Sequence, residues 1–173
     1  MYYFAYGSNM LTARLARRVP SATPAGHAWL DGHTLHWHLR GGDGSGKCNV
    51  VATEREADRV HGVIFELDAA RLDRLHVAEG PAYHFLELPV GTATGVVTAA
   101  IYRGRDNWLD NSLIAYDWYR DFVLGGAREH GLPEDWIQRL SSTPVQADSN
   151  TARALENRVI LSERAANVRA GSA

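Results

Sequence analysis

Short apolar runs follow one another in hairpin-like succession through the first two-thirds of this chain, and that order most limits how it folds. Tyr2 to Tyr6 is a short aromatic run. His27 to Leu39 and Cys48 to Thr53 flank a glycine-rich connection, Gly41 to Gly46. Val60 to Leu67 places Val63, Phe65 and Leu67 on one face of a strand. Tyr83 to Val90 and Val96 to Tyr102 flank a turn built on Gly91 and Gly95. Helical spacing is confined to Asn9–Arg18, Ala69 to about Val77, Ser112–Leu124, Pro133–Leu140 and Thr151–Ala166. Strands that are not each separated by a helix favour an antiparallel sheet or small barrel, with helices gathered outside it.

At 173 residues the chain has the size of one compact domain. We expect that domain to span residues 1–166, with Asn167 to Ala173 as a flexible C-terminal tail. A net charge of −2 gives no electrostatic basis for binding nucleic acid or an anionic membrane. The single cysteine, Cys48, rules out an internal disulfide and suits a reducing cytoplasm. Strand residues begin at once, without a basic and then apolar leader, so no signal peptide is expected. No apolar run reaches the length of a membrane span.

The residues Tyr3 to Met10, YFAYGSNM, read as a strand, a turn at Gly7 and a helix opening on Ser8 and Asn9. Such a junction aims backbone N–H groups at one point and adds the positive end of the helix dipole. It is a ready site for a carboxylate or a developing oxyanion. Ser and Asn are also favoured there as plain helix caps. Glu79 lies just beyond a short helix, before Gly80 and Pro81. A carboxylate at the negative end of a helix is held in its protonated form more readily, which suits proton transfer. Gly80 is equally an ordinary helix terminator, and exposed loop glutamates are common.

YGSNM, then Glu79-Gly80 followed by Tyr83, then GAREHGLP at Gly126 to Pro133, stand in the order found in the γ-glutamylcyclotransferases. The chain resembles that family over nearly its whole length. The resemblance implies an α+β fold of AIG2-like type, a small mixed, largely antiparallel β-barrel with peripheral helices. It also implies an enzyme that releases 5-oxoproline from γ-glutamyl compounds, with Glu79 as catalytic acid–base. In that chemistry the substrate's own α-amine attacks its δ-carbonyl and closes a lactam. A carboxylate must take the amine proton and pass it to the departing amine. Donors must meet the oxyanion, which falls to the turn Tyr6, Gly7, Ser8 and Asn9. The nucleophile is already in the molecule, so folding the substrate is a large part of the task. No cofactor, metal or nucleotide is required. Tyr83, Tyr102 and Tyr119 are expected to wall the substrate pocket. Two other readings stay open: removal of a γ-glutamyl protecting group from a carrier-bound amine, and a non-catalytic module binding a small metabolite.

Other features carry weaker chemistry. Gly41 to Cys48 holds the G-x-x-x-x-G-K frame of a phosphate-binding loop. Cys48 stands where Ser or Thr should be, however, and a strand follows in place of a helix. His36 and His38 share a strand face with His33 opposite, a poor zinc site. Ser8 as a hydrolytic nucleophile lacks the G-x-S-x-G elbow. Arg14, Arg17 and Arg18 read as a polar helix face near a helix C-terminus, and Cys48 as a small buried hydrophobe. Trp29, Trp37, Trp108, Trp118 and Trp136 suit a core or interface, so both a large core and a homodimer are compatible with them.

Overall fold

The computed structural model describes the backbone of residues 1–170 and the side chains of residues 1–162. In chain order the elements are β1 (Tyr2–Ala5), α1 (Thr12–Arg18), β2 (Thr23–Asp31), β3 (His33–Arg40), β4 (Gly46–Ala52), β5 (Arg59–Glu66), α2 (Leu72–Glu79), β6 (Tyr83–Thr92), β7 (Gly95–Gly104), β8 (Ala115–Tyr116), α3 (Asp117–Glu129), α4 (Glu134–Ser141), β9 (Val145–Gln146) and α5 (Thr151–Ala170). Strands β1, β5, β2, β6 and β7 are hydrogen-bonded in that order and close into a barrel. Every pairing is antiparallel except the closing contact, where Tyr3 of β1 meets Ala100 of β7 in parallel. The hairpin β3–β4 stands apart as its own two-stranded sheet.

The barrel strands do not simply alternate between core and solvent. Tyr3, Phe4 and Ala5 of β1 are all buried, as are Val63, Ile64 and Phe65 of β5. Consecutive burial means that both sheet faces are covered, the inner by the barrel and the outer by packed elements. One apolar cluster runs from Tyr3 in β1 to Ala154 in α5. Among the described residues no helix is long and apolar enough to cross a membrane.

Four elements differ from the sequence reading, each for a local reason. His27 to Leu39 is two strands, because Gly32 turns the chain with φ at +66°. Gly91 is not in a turn: it pairs with Val96 inside the β6–β7 hairpin, whose strands run on to Thr92 and Gly95. The helix expected from Ser112 begins at Asp117. The residues just before it, Ala115 and Tyr116, pair in parallel with Val145 and Gln146. Helix α5 is Thr151–Ala170, four residues longer than the helix expected to end at Ala166, and residues 171–173 lie outside the described residues. Its start is capped by Asn150, whose side-chain oxygen accepts from the Arg153 N–H at 3.0 Å.

Candidate active site

Strand β1 does not lead directly into an α-helix. Ser8–Met10 form a 3₁₀ turn, Leu11 is extended (φ −72°, ψ 113°), and α1 begins only at Thr12. The helix expected from Asn9 is therefore displaced, and with it most of the aligned peptide dipole. The turn still offers donors. Its first internal bonds run from Met10 N–H to Gly7 O (3.0 Å) and from Leu11 N–H to Ser8 O (3.4 Å). The N–H groups of Ser8 and Asn9 precede both. Tyr6, Gly7, Ser8 and Asn9 all line a cavity of about 440 Å³.

Glu79 lines the same cavity from the opposite element, although Asn9 and Glu79 are far apart in sequence. It is the last residue of α2, which Gly80 terminates with φ at +73°. Its Oε1 accepts from Asn9 Nδ2 at 2.5 Å and lies 3.7 Å from Arg18 Nη1. Asn9 is the hub: Nδ2 also donates to the Tyr3 hydroxyl at 3.0 Å, and Oδ1 accepts from Arg18 Nη1 at 2.9 Å. The Glu79 side chain is only 11% exposed. Burial raises its pKa above the usual carboxylate value, while Arg18, Arg14 and the bonds from Asn9 and Tyr3 oppose the rise. The helix terminus invoked from the sequence is thus secondary to burial.

The expected tyrosines also meet here: Tyr83, Tyr102 and Tyr119 line the cavity. Each hydroxyl contact recorded ties elements together. Tyr6 donates its hydroxyl to the Tyr102 carbonyl in a short bond. The Tyr102 hydroxyl and His76 Nδ1 are bonded at 2.7 Å, which fastens the helix carrying Glu79 to β7. The Tyr119 hydroxyl accepts from the Cys48 N–H at 3.1 Å. Burial raises the Tyr83, Tyr102 and Tyr119 hydroxyls above their ordinary pKa, so all three remain neutral donors.

Sequence reading missed the cations. Arg14 and Arg18 line the cavity, as do Arg40 and Lys47. The available signal was their adjacency to the buried stripe Leu11, Leu15 and Val19, which turns one flank of α1 inward. Arg14 Nε donates to Ser8 Oγ at 3.1 Å. That bond, with no histidine hydrogen-bonded to Ser8 among the described residues, leaves the serine without a base. Tyr3 also lines the cavity, where it had been read only as part of a strand.

The near phosphate-binding loop is a cavity wall. Gly41 and Gly42 line the cavity, and β4 follows where a nucleotide loop would need a helix. Hydrogen bonds tie the loop to itself. Asp43 Oδ1 accepts from the Ser45 N–H (3.0 Å) and hydroxyl (2.9 Å), and Lys47 Nζ donates to Asp43 Oδ2 at 2.7 Å. His36 and His38 stack at 4.9 Å, and His38 is held by Asn49 and Asn111. Among the described residues no three His, Cys, Asp or Glu side chains gather to hold a metal ion. Cys48 is buried, as expected, and burial pushes its thiol up to about 12.

Residues Gly126 to Pro133 do not line the cavity; they support it from behind. A β-carbon at Gly126 would lie 2.4 Å from the Met10 carbonyl carbon and 2.5 Å from the Leu11 nitrogen. Only glycine lets α3 approach the Ser8–Met10 turn this closely. His130 Nε2 adds a bond to the Thr12 hydroxyl at 3.1 Å.

The sequence pattern of the AIG2-like family matches residues 59–140. Gamma-glutamylcyclotransferase of Bos taurus is 32% identical over 151 residues, covering 81% of this chain and 77% of that protein. The Homo sapiens gamma-glutamylcyclotransferase is 31% identical with the same coverage. A solved structure of a gamma-glutamyl cyclotransferase superposes with a TM-score of 0.79 at 26% identity, covering 87% of this chain and 91% of that one.

Proposed function

The chain belongs to the γ-glutamylcyclotransferase family, and we propose that the cavity between the Tyr6–Asn9 turn and Glu79 is where it performs the family's reaction. The enzyme converts a γ-glutamyl amino acid or γ-glutamyl amine to 5-oxoproline and the free amine by intramolecular aminolysis. One observation carries the site assignment. A shielded carboxylate with a raised pKa lines one cavity with a turn whose Ser8 and Asn9 N–H groups precede its first internal bonds.

The α-ammonium of the substrate must lose a proton before it can attack. The Glu79 carboxylate, held by Asn9 and Arg18, accepts that proton. The amine closes on the δ-carbonyl, and the oxyanion that forms meets the N–H groups of the turn. As the oxyanion collapses and the bond to the leaving nitrogen breaks, Glu79 passes that proton to the leaving amine. The ring nitrogen sheds its second proton as the lactam forms, and it ends on the departing amine as ammonium, so no proton is gained or lost overall. Tyr83, Tyr102 and Tyr119, neutral throughout, hold the γ-glutamyl chain in its folded conformer. A reducing, cytoplasmic setting belongs to this reading, and the free Cys48 is compatible with it.

The test is incubation with a panel of γ-glutamyl compounds, with 5-oxoproline measured by mass, for wild type, Glu79→Gln and Ser8→Ala. Glu79→Gln keeps shape and hydrogen bonding but accepts no proton, and should lose at least ~10²-fold in kcat. Ser8→Ala should cost much less. A dead Ser8→Ala beside an active Glu79→Gln would replace this mechanism with a serine nucleophile.

A further inference from the structure

Arg14 stands out among the cations that line the cavity. Arg18 lies 3.7 Å from Glu79, Lys47 is paired with Asp43 at 2.7 Å, and Arg40 with Asp110 at 2.7 Å. Arg14 meets only neutral groups. Its Nε donates to Ser8 Oγ at 3.1 Å, its Nη1 to Asn157 Oδ1 at 3.5 Å, and its guanidinium stacks 4.3 Å over the Phe122 ring. No carboxylate among the described residues pairs with it. Burial, and then the like charge of Arg18, lower its pKa to about 10, so it stays charged at neutral pH. A partly buried, unpaired cation is unfavourable, and an anionic ligand is what would relieve it.

The γ-glutamyl group brings such an anion to a defined place. Its α-carboxylate shares a carbon with the α-amine that must reach Glu79. Arg14 and Glu79 line the same cavity, and Arg18 is already committed to Glu79 at 3.7 Å. Resting on the activity proposed above, we infer that Arg14 receives the α-carboxylate of the γ-glutamyl group and sets specificity for it. Ser8 is its positioning residue. The serine hydroxyl fixes Nε, and the Phe122 ring fixes the guanidinium plane, so the fork is preorganised before substrate arrives.

Kinetics with a γ-glutamyl amino acid and its α-carboxamide analogue test this. The wild type should prefer the free α-carboxylate by roughly 30-fold or more in kcat/KM, the scale of a hydrogen-bonded charge pair. Arg14→Gln should erase that preference, chiefly through a raised KM for the free acid. Ser8→Ala should raise KM for the free acid by a smaller factor. Binding of 5-oxoproline against its amide reads the same preference without turnover. It therefore judges Arg14 even if no γ-glutamyl compound releases 5-oxoproline, the result that would instead sink the proposed activity. Should Arg14→Gln fail to fold, Arg14→Lys decides, with a preference reduced but retained. The inference is overturned if wild type does not discriminate, if discrimination survives in Arg14→Gln or is undiminished in Arg14→Lys, or if Lys47→Gln erases it instead.

Discussion

The surroundings of Glu79 are what would fit a common residue to carry a proton in the proposed reaction. Burial raises its pKa, and Arg18, first among the opposing groups, limits the rise. Activity needs the carboxylate ionised, so it should be lost as pH falls through a pKa above the ordinary carboxylate range. Removing the positive charge in Arg18→Gln should move the acid limb of kcat/KM to higher pH. An unmoved limb in a folded variant would mean that another group sets it. The linkage to stability has the opposite sense. A carboxyl with a raised folded-state pKa favours the fold most below its unfolded value, and this contribution is lost as pH rises through the folded value.

At the scale of elements, the site is a junction rather than a property of any one segment. The turn after β1 supplies donors, α1 supplies cations, α2 supplies the carboxylate, and α3 braces the turn. Gly126 is where that brace is tightest, because the atoms opposing a new methyl group are backbone and cannot rotate away. Gly126→Ala should destabilise the protein by about 1–3 kcal/mol, the usual penalty of overpacking. It should also raise KM, because α3 or the Ser8–Met10 turn has to move. Thermal melting together with KM checks both parts. A variant with wild-type melting and kinetics would show that the packing there is loose.

For the molecule as a whole, we propose that residues 1–166 act as one domain, since a single apolar cluster joins β1 to α5. The tryptophans are compatible with a core, and the homodimer stays a proposal. Trp118 and Trp136 are buried, and Trp29, Trp37 and Trp108 are partly covered. In the proposed mechanism the reaction is intramolecular, its base is a side chain and its oxyanion donors are backbone groups. Adding EDTA or ATP should therefore leave 5-oxoproline release unchanged. Activity lost in EDTA and restored by zinc would point to the histidines of β3 instead.

The sequence by itself determined the local alphabet of this protein. Strand and helix periods, the Gly7 turn, the Gly80 stop and the residues Glu79, Tyr6 to Asn9, Tyr83, Tyr102 and Tyr119 were all legible, because each depends on neighbours close along the chain or on an ordered motif. Tertiary structure decided what those residues do. Burial of Glu79, not the helix end beside it, raises its pKa, and burial is a property of packing. Arg14 and Arg18 looked like a solvated face until α1 was seen to lie against the turn and α3. GAREHGLP read as part of a functional signature, yet its Gly126 is there because two backbones nearly touch. Distance between segments remote in sequence sets all three, and no local pattern encodes it.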